Sequence, residues 1–276
     1  MQNVDFTYDP DAGIVEKIDD LLPKRKDLCQ GMETKAVWFR GHRDFDWPLK
    51  PTIGRTYKFA SVRRIFTEKE EKVLLHRFRR FSYAHTSQIY GEWESLFLAR
   101  HHELPVRLLE WTANPLVALY FAVISPNSSY DPNPEEDGAI WAFVRKHPIE
   151  PVIDVLAEKD DPTRSVPPFN VHGVRIIYPT YVTPRIIAQN AAFTIQDNPW
   201  VEFHECCKQA QQTNESNLDV VKFVKWRVPK AKKNELLKNL ERFDFNERTF
   251  FPDLDGLARG LWHNEILRMG TEDEGS

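Results

Sequence analysis

The sequence predicts an α+β fold: a single domain with a mixed or antiparallel sheet and flanking helices. Three observations carry this. Strand-like and helix-like runs are interleaved along the 276 residues without a regular strand–helix alternation. No glycine-rich phosphate loop follows any strand-like run. Hydrophobic residues make up 41%, enough for a sizeable core, and no stretch reads as a linker. The expected organisation is an N-terminal helical extension over 1–30, the main domain over 31–265, and a disordered acidic tail over 266–276.

Each element follows from local pattern. Residues 15–22 place Val15, Ile18, Leu21 and Leu22 on one helical face, which Pro23 and the charged run after it should end. Residues 36–42 (AVWFRGH) are apolar, aromatic and closed by Arg-Gly, as a strand would be, and Gly41 suits a turn or a close approach to a ligand. Residues 44–55 carry two prolines and a glycine and read as a loop. Thr67 with Glu70 forms a capping box opening a helix over 67–84, with Leu74, Phe78 and Phe81 as its apolar stripe. A second helix over 92–100 buries Leu96, Phe97 and Leu98.

Farther on, 126–137 and 154–168 read as loops, and 139–144 (AIWAFV) and 174–178 as strands. Residues 185–195 begin as a turn after Pro184 and end as a strand. Residues 202–213 pattern weakly as a helix, and 220–228 alternate apolar and basic residues as a one-face-buried strand does. A helix over 230–243 turns Leu236, Leu237 and Leu240 inward, and a Pro-Asp turn with a short helix occupies 249–261.

The densest chemistry lies in 98–123 (LARHHELPVRLLEWTANPLVALYFAV). His101, Arg107, Glu110, Trp111, Thr112 and Asn114 precede a long apolar run that includes Tyr120. Asn114 with Pro115 marks a helix start, and a helix N-terminus beside Arg and His is a natural anion site. Arg40, Arg43 and Arg107 sit in apolar or strand-end surroundings, where a guanidinium must pair or bind an anion. The plain alternative for Arg107 is a salt bridge with Glu110 or Asp46. Trp111 and Tyr120 suit either core packing or stacking on a base. Thr112 and Asn114 suit either ribose hydroxyls or capping, and Gln189 needs a partner if buried.

Composition excludes several classes. The net charge of −4 gives no global attraction to nucleic acid, although the segment 77–80 is locally basic. The three cysteines fit neither a metal pattern nor a disulfide scaffold, Cys206 and Cys207 are expected to be inert, and a cytoplasmic setting is expected. No signal peptide, membrane span or metal site is expected, and adjacent His101 and His102 diverge. No GxSxG or HExxH motif is present.

These residues bring a family into view. The chain resembles the FRG domain, whose Phe-Arg-Gly signature is here Phe39-Arg40-Gly41. A second block is matched by His101, by 104–112 (LPVRLLEWT) and by 115–122 (PLVALYFA), with Val106 for the family's usual Thr and Glu110 for its Asp. A third runs from Arg185 to Phe193 and a fourth from Phe251 to Ala258. The block order is similar to that of ADP-ribosyltransferases. That likeness implies an ADP-ribosyltransferase-like fold and an NAD-dependent enzyme with NAD as substrate, of a toxin–antitoxin or phage-defence kind. Its target would be RNA or a protein, and an antitoxin partner would neutralise it.

In that comparison Arg40 holds the pyrophosphate, Trp111 and Thr112 brace the nicotinamide ribose with Asn114 beside them, and Tyr120 stands behind. His101, Arg107, Glu110 and Gln189 complete the expected catalytic set. Gln189 stands where a catalytic acid is expected, which leaves Glu110 or Glu202 for that role. The alternatives are a non-catalytic nucleotide- or nucleic-acid-binding module, and a nuclease-like hydrolase using His101 and Glu110.

Overall fold

A computed structural model describes residues 6–30, 37–59, 62–86, 88–124, 135–145, 152–154, 166–179, 184–212 and 220–272. The strands are β1 (Thr7–Asp9), β2 (Val37–His42), β3 (Tyr57–Phe59), β4 (Val62–Arg64), β5 (Leu108–Thr112), β6 (Gly138–Arg145), β7 (Val152–Asp154), β8 (Val174–Tyr178), β9 (Ala191–Gln196) and β10 (Val220–Val228). The helices are α1 (Leu21–Leu28), α2 (Glu68–Thr86), α3 (Glu92–His101), α4 (Pro115–Val123), α5 (Pro184–Ala188), α6 (Phe203–Gln212), α7 (Lys233–Glu241), α8 (Glu247–Phe250) and α9 (Leu254–Glu272).

Eight strands form one mixed sheet in the order β1–β10–β6–β2–β5–β9–β8–β7, and β3 with β4 makes a separate hairpin. The α+β class with a mixed sheet is therefore as predicted. The two outer pairings, β1 with β10 and β7 with β8, are parallel; the inner ones are antiparallel.

Strand alternation divides the core. Phe39, Ile140, Ala142, Val144, Val224 and Trp226 pack against α1, α4 and α7 on one face. Trp38, Trp141, Phe143 and Phe223 face the other side, under α6 and the loop carrying Phe45 and Leu49. α3 covers the far half of the sheet, where Leu96 and Phe97 meet Leu108, Phe193 and Ile195.

α4 lies unusually close to the sheet centre. A Cβ on Gly41 would collide with the Ala118 carbonyl oxygen, and one on Gly138 with that of Ala122. Gly41 thus serves helix–sheet contact within β2, where a turn was one expectation, and it also lines the cavity described below. Asn114 caps α4 as predicted, its Oδ1 accepting from Leu116 N (2.9 Å).

Several expectations are corrected. The N-terminal segment joins the main sheet through β1, where Thr7 pairs with Lys222. Pro23 lies in the first turn of α1, where a missing N–H costs nothing, so it opens a helix it was expected to end. The capping box of α2 forms between Thr67 and Glu70, but the buried face is Glu71 and Leu75, and Phe81 is 66% exposed. β10 is covered on both faces, with Lys225 lying over the Phe45 and Trp141 rings. α9 continues to Glu272, into the tail expected to be disordered, and 273–276 lie outside the described residues. The expected loops over 126–137 and 154–168 lie mostly outside them too.

Candidate functional site

The site begins where the sheet is incomplete. β2 and β5 share one paired position among the described residues, Phe39 with Thr112. Past it the strands part, and a cavity of about 140 Å³ opens, lined among others by Arg40, Gly41, Glu110, Trp111, Thr112 and Gln189. α4 supplies Val117, Ala118 and Phe121 to its wall, α3 supplies Arg100, and α5 supplies Arg185. The cavity leads into a groove of about 1160 Å³, and Arg40, Gly41, Arg100, Phe121 and Arg185 line both spaces.

Arg40 shares its strand face with Trp38 and His42, yet its guanidinium turns into the gap. Nη1 donates to the Glu110 carbonyl oxygen (2.7 Å) and Nε donates to His42 Nε2 (3.0 Å). Trp141 Nε1 lies 3.3 Å from the other ring nitrogen of His42. A neutral imidazole offers one lone pair, and the shorter, charge-assisted contact from Arg40 takes it. Burial, then Arg40 and Arg55, hold His42 well below the usual histidine range, so the ring stays neutral. Burial, then Arg55, pushes Arg40 down to about 9, which leaves it cationic at neutral pH.

Glu110 accepts from Arg100 Nη2 (2.7 Å). Burial opposes its ionisation, but Arg100, Arg185 and Arg40 outweigh burial and hold the carboxyl below the usual range. Glu110 therefore faces three guanidiniums, of which Arg185 also feels Glu103 and Asp253 more weakly. The residual charge at the junction of cavity and groove is positive, which suits an anion.

The other predicted residues divide. Thr112 Oγ1 donates to the Gln189 carbonyl oxygen (2.8 Å) and accepts from Asn114 N (3.1 Å). Gln189 Nε2 donates to the Phe250 carbonyl oxygen (3.2 Å), which answers the need for a partner. Trp111 lines the cavity, while its Nε1 donates to Thr194 Oγ1 (2.9 Å) and its ring packs on Phe143. His101 lines the groove, with its basicity lowered by burial and then by Arg185.

Arg107 and Tyr120 are placed elsewhere. Arg107 donates to Glu71 through its backbone N–H, Nε and Nη2, and lies 4.3 Å from the Phe169 ring centroid. Its partners come from α2, so neither Glu110 nor Asp46 is its salt-bridge partner. Tyr120 donates to Glu247 Oε2 (2.7 Å) on the far side of α4. Asn114 is absent from the lining. Pro115 has no N–H and Leu116 N is already capped, so arginines, in place of the α4 N-terminus, present the positive charge. Glu202 Oε2 accepts from Leu49 N (3.3 Å), away from cavity and groove.

Residues 35–131 match the family model described as the FRG domain. Over that stretch the chain is similar to the FRG domain. The match spans β2 through α4, and so the Phe39-Arg40-Gly41 signature and the 104–122 block that build the cavity. A search of curated proteins and one of solved structures gave no match.

Sequence reasoning missed Arg55 and Arg100. Each stands in a segment read for its fold alone, a proline-rich loop and a helix end. Arg100, on the last turn of α3, is brought to the cavity by the packing of α3 on β5 and β9. Arg185 was noticed only as the start of a block. Among the described residues no three His, Cys, Asp or Glu side chains gather as a metal site requires, and no helix is long and apolar enough to cross a membrane. Burial raises the Cys206 thiol to about 12 and also holds that of Cys207 well above the ordinary thiol range.

Proposed function

We propose that this FRG-like domain binds a pyrophosphate-bearing nucleotide, with NAD as its substrate, and acts as an ADP-ribosyltransferase-like enzyme. The observation that carries the reading is the convergence of Arg40, Arg100 and Arg185 around Glu110 at the mouth of a ring-sized cavity. A dry cavity near 150 Å³ holds one aromatic ring, so this one suits a nicotinamide or a ribose. The phosphates would then lie on the arginines at the junction, which planar guanidiniums bind in bidentate fashion.

The chemistry asked of the chain is modest. Nicotinamide leaves with the electron pair of the ribosyl C–N bond, and positive charge builds on the ribose. An ionised carboxylate beside that carbon stabilises the charge far better than an amide. Glu110 supports that role, and Gln189 supports only positioning. The target's nucleophile takes the ribosyl carbon, and its proton passes to Glu110.

The test is calorimetry with ADP-ribose together with an assay for released nicotinamide. Micromolar binding and release, both lost in Arg40→Ala, are expected. Binding without release would favour the non-catalytic module, and no binding would sink the nucleotide reading. The toxin or phage-defence role is tested by expression: growth arrest that Arg40→Ala relieves is expected.

A further inference from the structure

The outer groove carries more positive charge than a single nucleotide needs, and the charge is arranged on aromatic rings. At one end Arg43 and Arg55 lie 4.7 and 5.6 Å from the centroid of the Trp47 ring. At the other, Arg185 and Arg259 lie 4.3 and 5.4 Å from that of Phe251. Arg40 and Arg100 line the groove as well, and His101 and His102 meet edge to face on its wall. No lysine lines it.

We infer that this groove docks a single-stranded nucleic acid, the macromolecular target, with its phosphodiester backbone on the ring-mounted arginines. The inference takes the nucleotide reading of the inner cavity as given for what is then done to the strand. Four arguments support it. An arginine held on an aromatic face loses little freedom on binding a phosphate, and its planar fork matches phosphate oxygens. Guanidinium and aromatic faces along a groove stack exposed bases, which a duplex hides. Neither Arg43 nor Arg55 makes an ion pair among the described residues, and Arg55 is crowded by Arg100 and Arg43, although Asp44 stands near Arg43. At about 1160 Å³ the groove is also larger than the usual small-molecule pocket, roughly 300–1,000 Å³.

Carboxylates are present but confined. Asp253 and Asp255 stand at the start of α9, Glu103 follows α3, and Arg259 is engaged by Glu247. The segment 43–55 brings Arg43, Trp47 and Arg55 to the groove without an acidic lining residue. That segment is therefore the backbone track. A strand laid there reaches the inner cavity past Arg40, which His42 links to Trp47 through an edge-to-face ring contact.

The experiment is fluorescence anisotropy of the full chain with a short labelled single-stranded RNA, titrated at several salt concentrations. A duplex of the same sequence and polyglutamate serve as competitors. Saturable binding is expected, with single strand preferred to both competitors. Arg43→Gln should weaken it about five- to tenfold and reduce the slope of log affinity on log salt by about 0.7. Trp47→Leu should weaken it about tenfold, and Trp47→Phe should recover most of that loss. Equal competition by polyglutamate would overturn the inference in favour of an acidic protein partner. Wild-type RNA affinity in Arg43→Gln would overturn it outright. ADP-ribose binding, measured on the same preparations, separates the two readings. It should persist in Arg43→Gln and Trp47→Phe. RNA binding without ADP-ribose binding keeps the docking groove and discards the nucleotide reading.

Discussion

Arg40 stands in for a missing rung between two strands: its Nη1 donates to the backbone carbonyl of Glu110 at the point where β2 and β5 stop pairing. A continuous ladder there would satisfy that carbonyl with a backbone N–H and leave no room for a ligand. Parting the strands opens the cavity, and a side chain long enough to cross the gap meets the orphaned acceptor. The same guanidinium is thereby fixed at the mouth of the cavity, so the structural and binding roles of Arg40 are one arrangement.

Gly41→Ala should destabilise the fold. The added methyl meets the backbone of α4 at Ala118 and Ala122, which cannot move aside as a flexible side chain would. Overpacking of this kind costs about 1–3 kcal/mol. A urea titration should show a lower midpoint at unchanged slope. An unchanged midpoint would mean that α4 can shift on the sheet without penalty.

Arg107 should matter for folding alone. Its side chain is 2% exposed and that of Glu71 is 0% exposed, so removing one partner leaves a buried charge. Arg107→Met should cost about 3–5 kcal/mol, while Arg107→Met with Glu71→Leu should recover much of the loss. Thermal melts of the single and double variants check this. A double variant no better than the single would mean that other groups depend on the ion pair.

The fold was more legible than the site, for a physical reason. Periodicity reports which face of an element is buried, and it placed β2, α3, β6, β8 and α4 closely, down to the Asn114 cap. It failed where polar residues are buried. Glu71 and Lys225 occupy positions that read as solvent-facing, and each is held by a distant partner, Arg107 for one and the Phe45 ring for the other. The site is an assembly of side chains from β2, β5, α3 and α5, which only the tertiary fold brings together. Arg40 and Glu110 stood out because they interrupt apolar runs. Arg100 did not, because an arginine near a helix C-terminus is ordinary.

His42 should make stability fall as the solution is acidified. Its folded-state pKa lies well below the usual 6.5, so the native state binds fewer protons than the unfolded chain. The stability it confers is therefore fully present above about pH 6.5 and is lost progressively as pH falls below that value, at up to about 1.4 kcal/mol per pH unit. His101 and His204 are shifted in the same direction by burial and add to the slope. Melts between pH 7.5 and 5.5 should steepen accordingly, and His42→Gln should remove one proton's share of that dependence. An unchanged slope in His42→Gln would show that burial and Arg40 do not hold the ring neutral in the folded protein.

Glu110→Gln separates binding from chemistry. The substitution keeps the shape of the side chain and removes the carboxylate that Arg40, Arg100 and Arg185 share. The arginines then carry uncompensated charge, so ADP-ribose should bind at least as tightly as to the wild type. Nicotinamide release needs the carboxylate beside the developing ribosyl cation and should fall by about 100-fold or more. In the wild type, release should persist to low pH and decline only as the solution drops below the ordinary carboxylate range, because neighbouring guanidiniums hold Glu110 ionised. Tighter binding with release abolished would assign Glu110 to the reaction. Undiminished release would move the catalytic acid to a group outside the cavity, and weaker binding would mean that Glu110 orders Arg100 instead of opposing its charge.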